Sequence, residues 1–150
     1  IRRVVDVGEN VILANGQHDD VLDRILAGVE VGTLFLAQGP NVPAWKRWIG
    51  YTIEPAGRLV VDEGARKALC ESGRSLLPIG ISSVEGRFEK GAVVTIADSS
   101  GNEFARGLTN YDSRSVSAIA GRRSPEIDSI LGEMPYDVVI HRDNLAILGN

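Results

Sequence analysis

Arg58-Leu59-Val60-Val61-Asp62-Glu63-Gly64-Ala65, then Ser75-Leu76-Leu77-Pro78-Ile79-Gly80-Ile81, then Phe88-Glu89-Lys90-Gly91-Ala92-Val93-Val94-Thr95-Ile96 decide the fold. In order they read as a strand, a short helix and a run of short strands. Arg58–Val61 is the strand. Asp62 caps a helix that runs through Ala65, Ala68 and Leu69 to a stop at Gly73. Pro78 and Gly80 break the next extended run, as expected where a strand bends at a barrel corner. Strands at Val84–Phe88 and Ala92–Ala97 are separated by Glu89-Lys90-Gly91. Asp98-Ser99-Ser100-Gly101 is a hairpin turn into Glu103–Asn110. Asp112 or Ser113 caps a helix through Val116 and Ile119, stopped by Gly121. Ser124-Pro125-Glu126 puts a cap, a proline and an acid at the first positions of another, which ends at Gly132. Tyr136–His141 closes the domain as a strand, extended by Leu145–Leu148. Residues 58–150 thus read as a mainly β domain with short helices.

Working outward, residues 1–36 have a different character. Val11-Ile12-Leu13-Ala14 is a short apolar run ended by Asn15-Gly16, the pattern of a buried parallel strand meeting a turn. Asp19 or Asp20 caps a helix whose Val21, Leu22, Ile25 and Leu26 share one face, and Gly28 stops it. Thr33-Leu34-Phe35-Leu36 is a second strand. A β-α-β unit alone leaves both sheet faces open, so this piece needs the rest of a sheet. The chain opens at Ile1, in mid-pattern, and is expected to be cut from a longer one. Gly39, Pro40, Pro43, Gly50, Pro55 and Gly57 then punctuate a linker over 38–57.

Composition narrows the function classes. The chain has 150 residues, enough for one ordinary domain or a small domain plus a remnant, and 43% are hydrophobic. Net charge is −4 and even: residues 1–57 carry 5 basic and 7 acidic groups, residues 58–150 carry 11 and 13, a balance of −2 each. Proteins that hold nucleic acid through its phosphates usually show a basic excess, so composition argues mildly against strong RNA binding. The single cysteine, Cys70, excludes an intrachain disulfide and a multi-cysteine metal site, and is expected to be a buried or half-buried helix thiol. No apolar run approaches the ~18 residues of a membrane span, which makes the cytoplasm the expected location.

Tempting motifs fail on context. His141-Arg142-Asp143 spells a protein-kinase catalytic triplet, but no magnesium-binding Asp-Phe-Gly follows and no Gly-rich loop precedes it. It reads instead as a polar strand end with an Arg–Asp pair. His18-Asp19-Asp20 reads as a helix cap rather than as metal ligands, because adjacent side chains diverge. Trp45-Lys46-Arg47-Trp48 fits a nucleic-acid stacking platform, against the favoured reading of a linker anchored by aromatic burial with its cations in solvent. Lys67, Arg74 and Arg87 are the most plausible basic contacts of the β domain for RNA or a partner, against ordinary surface charge. No catalytic, cofactor-binding or metal-binding residue is assigned.

The order and spacing of landmarks carry a resemblance. They run from Asn15-Gly16 and Val31-Gly32-Thr33-Leu34-Phe35 through Lys46-Arg47-Trp48-Ile49 and Pro55-Ala56-Gly57. They continue with Val61-Asp62-Glu63-Gly64-Ala65, Ser75-Leu76-Leu77-Pro78, Gly91, Gly107, Tyr111-Asp112-Ser113, Ile119-Ala120-Gly121, Glu126-Ile127 and His141-Arg142-Asp143. In this the chain resembles the C-terminal part of the glutamate 5-kinases. The resemblance implies that 58–150 is a PUA domain, a pseudo-barrel module. It implies that 1–37 is the β-α-β remnant of an α/β amino-acid-kinase domain. It also implies a parent enzyme that uses ATP and Mg²⁺, forms a homo-oligomer and carries its catalytic residues in the missing N-terminal kinase domain. On that reading the fragment is non-catalytic, holds no cofactor and regulates the kinase. An RNA-binding PUA module is the alternative.

Overall fold

The structure is a computed structural model that describes residues 10–37, 42–132 and 136–149. The chain divides between Val42 and Pro43 into two compact units.

In the first unit, β1 (Val11–Leu13), α1 (Val21–Leu26) and β2 (Thr33–Phe35) follow the expected order. The pairing does not follow expectation. β1 and β2 run antiparallel, with Ile12 opposite Leu34, so this is no parallel crossover unit. Nor are the strands buried: Ile12, Leu13 and Leu34 are all exposed. Three residues per strand and one helix cannot cover a sheet face, as expected of a piece that needs the rest of a sheet. Asp20 stands at the N-cap of α1 without a side-chain hydrogen bond, so the capping role expected of this acidic pair is absent at that position.

The second unit begins at Pro43, ahead of the expected start at Arg58. Residues 38–41 of the expected linker lie outside the described residues. The remainder holds α2 (Ala44–Arg47) and a π-helical turn (Trp48–Thr52) that sinks Ile49 to 0% exposure against Val93 and Ala146. The segment is therefore anchored by an aliphatic side chain. Trp45 and Trp48, expected to be its buried anchors, are 49% and 38% exposed.

Then come β3 (Gly57–Val61), α3 (Glu63–Ser72), a 3-10 turn (Pro78–Gly80), β4 (Ile81–Gly86), β5 (Val93–Ala97) and β6 (Glu103–Leu108). α4 (Ser113–Ile119), a 3-10 turn (Ser124–Glu126), α5 (Ile127–Leu131), a 3-10 turn (Arg142–Asn144) and β7 (Leu145–Ile147) complete the unit. Five strands form one sheet in the order β4-β3-β5-β6-β7, with β3 and β5 parallel and the other neighbours antiparallel. Among the described residues no ladder joins β4 to β7, so the sheet is open rather than closed into a barrel. Every residue of β5 is buried, which makes that strand the axis of the core.

Local signals place the helices. Asp62 accepts the Ala65 backbone N–H at 2.7 Å, and Gly73, at φ 57°, ends α3 in the left-handed region that suits glycine. Cys70 is exposed, not buried: α3 turns Leu69 into the core, and the next residue rotates about 100° away. Partial desolvation still raises its thiol pKa, with nearby Arg66 opposing. Ser124 does not cap α5; its hydroxyl donates to Asp137 O at 3.1 Å, while Glu126 accepts the Arg123 N–H. The closing strand is β7 alone. Val139 and Ile140 are fully buried, but both of their N–H groups go to Leu76 O (2.8 and 3.3 Å), leaving only an isolated bridge.

Asp112 caps α4 by accepting the Ser115 and Arg114 N–H groups, both at 2.9 Å, and the Ser115 hydroxyl at 3.2 Å. The Ser115 backbone bond is the largest cause holding this carboxyl below its ordinary value. Because the folded pKa is depressed, the stabilisation is complete above the unfolded value of about 3.9 and is lost as pH falls through the lower folded value. Asp112→Asn keeps an acceptor at the cap but cannot titrate. Urea midpoints between about pH 2 and 5 should therefore fall less steeply for Asp112→Asn than for the parent chain. An acid limb of unchanged slope would show that Asp112 contributes nothing to it.

Candidate functional site

Two surfaces of the second unit bring candidate residues together. The first is a groove of about 330 Å³ between α3 and residues 75–80. Ala65, Ala68 and Leu69 line one side, Leu76, Leu77 and Ile79 the other. Gly80 closes its back, since a Cβ there would lie 2.5 Å from the Ala65 Cβ. Leu77 and Ile79 stay exposed at 41% and 47%. The Asp62 carboxylate borders the groove but is committed to the Ala65 N–H. Lys67 and Arg74, next in sequence to the lining Ala68 and Ser75, are exposed as expected. The groove itself suits an apolar side chain better than a phosphate.

Arg87 is not with them. It lines a separate cleft of about 720 Å³ with Phe88, Glu89, Asp112 and Arg114.

The second surface is built on α2. The indoles of Trp45 and Trp48 stack with centroids 5.0 Å apart and planes 15° from parallel. Trp45 Nε1 donates to Asn144 Oδ1 at 3.1 Å, and Lys46 Nζ donates to Arg142 O at 3.0 Å. Arg142 N donates in turn to Ser75 Oγ at 3.0 Å. Arg47 lies on the same short helix, half-buried. Sequence reasoning missed Arg142 and Asn144 as supports of the tryptophans, because they lie almost a hundred residues away along the chain. It had singled out His141-Arg142-Asp143 only as a false kinase triplet. In the structure the side chain beside Asp143 is that of His141 rather than Arg142: His141 Nδ1 accepts the Asp143 N–H at 3.3 Å and lies 3.4 Å from Asp143 Oδ2. A one-turn 3-10 helix brings positions 141 and 143 together, where an extended strand end would separate them. Among the described residues no three His, Cys, Asp or Glu side chains gather as a metal site. Among them too, no helix is long and apolar enough to cross a membrane.

Residues 57–131, half of the chain, match the PUA domain family. The chain belongs to that family. The match to the PUA domain covers β3 through α5, and so includes the groove and Arg87 but not the tryptophan pair. Longer similarity extends beyond it. The chain is 50% identical over 147 residues to the glutamate 5-kinase of Citrifermentans bemidjiense, covering 98% of this chain and 39% of that protein. It is 42% identical over 148 residues to the glutamate 5-kinase of Moorella thermoacetica, covering 99% and 39%. The chain thus spans about two fifths of the length of these relatives. A crystal structure of a PUA domain from Aeropyrum pernix K1, described as a tartrate complex, superposes with a TM-score of 0.47 at 17% identity, covering 95% of this chain and 87% of that one.

Proposed function

We propose that this chain is the C-terminal, PUA-bearing part of a glutamate 5-kinase, and that its PUA domain tunes a kinase carried by the rest of the polypeptide. The observation that carries the reading is identity of 50% over 98% of the chain, which takes in both units and not the PUA domain alone. The parent reaction moves the γ-phosphoryl of ATP to the side-chain carboxylate of L-glutamate. Such a transfer needs a phosphate cradle and Mg²⁺ to neutralise developing charge. Those parts belong to the preceding kinase domain, and this chain contributes scaffold and regulation. Its partners are that domain and further copies of the parent enzyme, in the cytoplasm.

The test is glutamate phosphorylation by the full-length parent, with and without residues 58–150, across concentrations of Mg²⁺ and of proline, the end product that the resemblance implies feeds back on the parent. A shift in either response on truncation is the expected result, and identical kinetics would remove the regulatory role. The chain by itself is expected neither to phosphorylate glutamate nor to hydrolyse ATP. Activity that survives repurification and scales with its concentration would overturn the non-catalytic assignment.

A further inference from the structure

We infer that the outer face of the five-stranded sheet carries a binding site for a singly charged carboxylate, held by Arg58 and the Thr95 hydroxyl. The ladders set Glu85, Arg58, Thr95 and Arg106 side by side across β4, β3, β5 and β6. Residues in one such row share a face of the sheet. The next row, Leu59, Ile96 and Ala105, is buried in the core, so this row faces away from it. Ile49 and Ile53 cover the neighbouring part of the outer face, where they pack with Val93, Leu108 and Ala146. What remains is a cleft of about 420 Å³ with Arg58, Thr95 and Arg106 in its lining.

Thr95 carries the argument. It is only 6% exposed, yet its hydroxyl makes no hydrogen bond with any described residue. Among the described residues no side-chain polar atom is both sealed from solvent and without a partner, so this hydroxyl opens onto the cleft. Polar groups on buried residues ordinarily find their partners inside the fold, and a ligand from outside accounts for one that does not. Arg58, opposite Thr95 on β3, is half-buried and pairs with no acid among the described residues. Arg106, opposite Thr95 on β6, is already committed: it pairs with Glu103, and its Nη1 donates to Ile53 O at 3.3 Å. The cleft thus offers one uncommitted guanidinium beside one uncommitted hydroxyl, a donor set suited to a carboxylate. The remaining acids limit the charge of the ligand. Glu54 and Glu85 line the cleft and are exposed, so water and salt screen them while contact with Arg58 is direct. One negative charge is accepted, and each further one adds repulsion, which makes a phosphate dianion the poorer ligand. Pro55 and Ala56 supply an apolar wall for the body of the molecule. This inference does not rest on the kinase reading, and its test uses the chain alone.

The experiment titrates the isotope-labelled full chain by heteronuclear NMR with two carboxylates, butyrate and N-acetyl-trialanine with a free C-terminus. The expected result is a saturable shift of the Thr95 amide and Arg58 Nε–H signals. Butyramide, the uncharged isostere, and inorganic phosphate should each bind about tenfold or more weakly than butyrate. Tighter binding of butyrate would identify the ligand as a small organic acid, and tighter binding of the peptide as a protein C-terminus. Arg58→Gln should weaken binding about tenfold or more. Thr95→Val should weaken it about threefold or more without lowering the urea midpoint, because the hydroxyl it removes has no partner in the fold. Thr95→Ser keeps a hydroxyl and should retain most of the affinity. Arg74→Gln, outside the cleft, should leave binding unchanged. Flat titrations with both carboxylates would overturn the inference. So would equal affinity for butyramide, or full affinity in Arg58→Gln. A lowered urea midpoint for Thr95→Val would show that the hydroxyl is already satisfied within the protein, and would overturn it too.

Discussion

Ile96→Ala is expected to lower the unfolding free energy of the second unit by about 2–5 kcal/mol. Ile96 is fully buried on β5, the strand whose five residues are all in the core. It faces Leu59 across the parallel β3 ladder and Ala105 across the antiparallel β6 ladder. The methyl of Ala105 cannot extend into the space left by truncation, and backbone ladders on both sides hinder collapse. The loss should therefore include a cavity cost as well as the lost transfer energy. Ile96→Val is the control, expected to lose about 0.5–1.5 kcal/mol. Urea titration followed by tryptophan emission suits the measurement, since both tryptophans report on the second unit. A smaller midpoint with an unchanged slope is the expected signature. A loss below about 1 kcal/mol for the alanine variant would mean that the core relaxes around β5.

Gly107→Ala should destabilise by overpacking. A Cβ at position 107 would meet Ile140 Cγ2 at 2.6 Å, Ile140 Cδ1 at 3.1 Å and Asn144 O at 3.1 Å. Ile140 is fully buried and cannot swing into solvent, so the sheet or the 140–144 segment must move. The expected cost is about 1–3 kcal/mol. The displaced segment contains Asn144, the acceptor for Trp45 Nε1, so native-state tryptophan emission should change as well. Ile140→Ala removes both clashing side-chain carbons, and the double variant should lose less than the sum of the two single losses. Strict additivity would show that the clash with Ile140 is not what makes glycine necessary.

Much of the second unit was legible along the chain. Asp62 and Gly73 bound α3, Asp112 and Gly121 bracket α4, and Asp98 with Gly101 forms the β5–β6 turn, because each acts on backbone within four residues. The exposure of Lys67 followed from helix phase, and that of Arg74 from its place after the helix-ending Gly73. Errors arose where the deciding partner is distant. Val11–Ala14 has the composition of a parallel strand, but its partner at Thr33–Phe35 pairs with it antiparallel. Tyr136–His141 has the apolar content of a strand, but Leu76 takes the N–H groups that a ladder would use.

The candidate surfaces divide along the same line. The sequence by itself determined the capped helices and turns, the mainly β character of residues 58–150, and, through its ordered landmarks, the likeness to glutamate 5-kinases. Capping and turn chemistry are short-range, and the order of landmarks needs no coordinates. Only the tertiary structure decided that Ile49 rather than the tryptophans anchors residues 43–57, that Arg87 lies in a different cleft from Lys67 and Arg74, and that Asn144 and Arg142 hold Trp45 and Lys46. Each of these depends on which of several apolar or polar groups reaches a partner many residues away. Periodicity does not encode that choice, and close packing settles it.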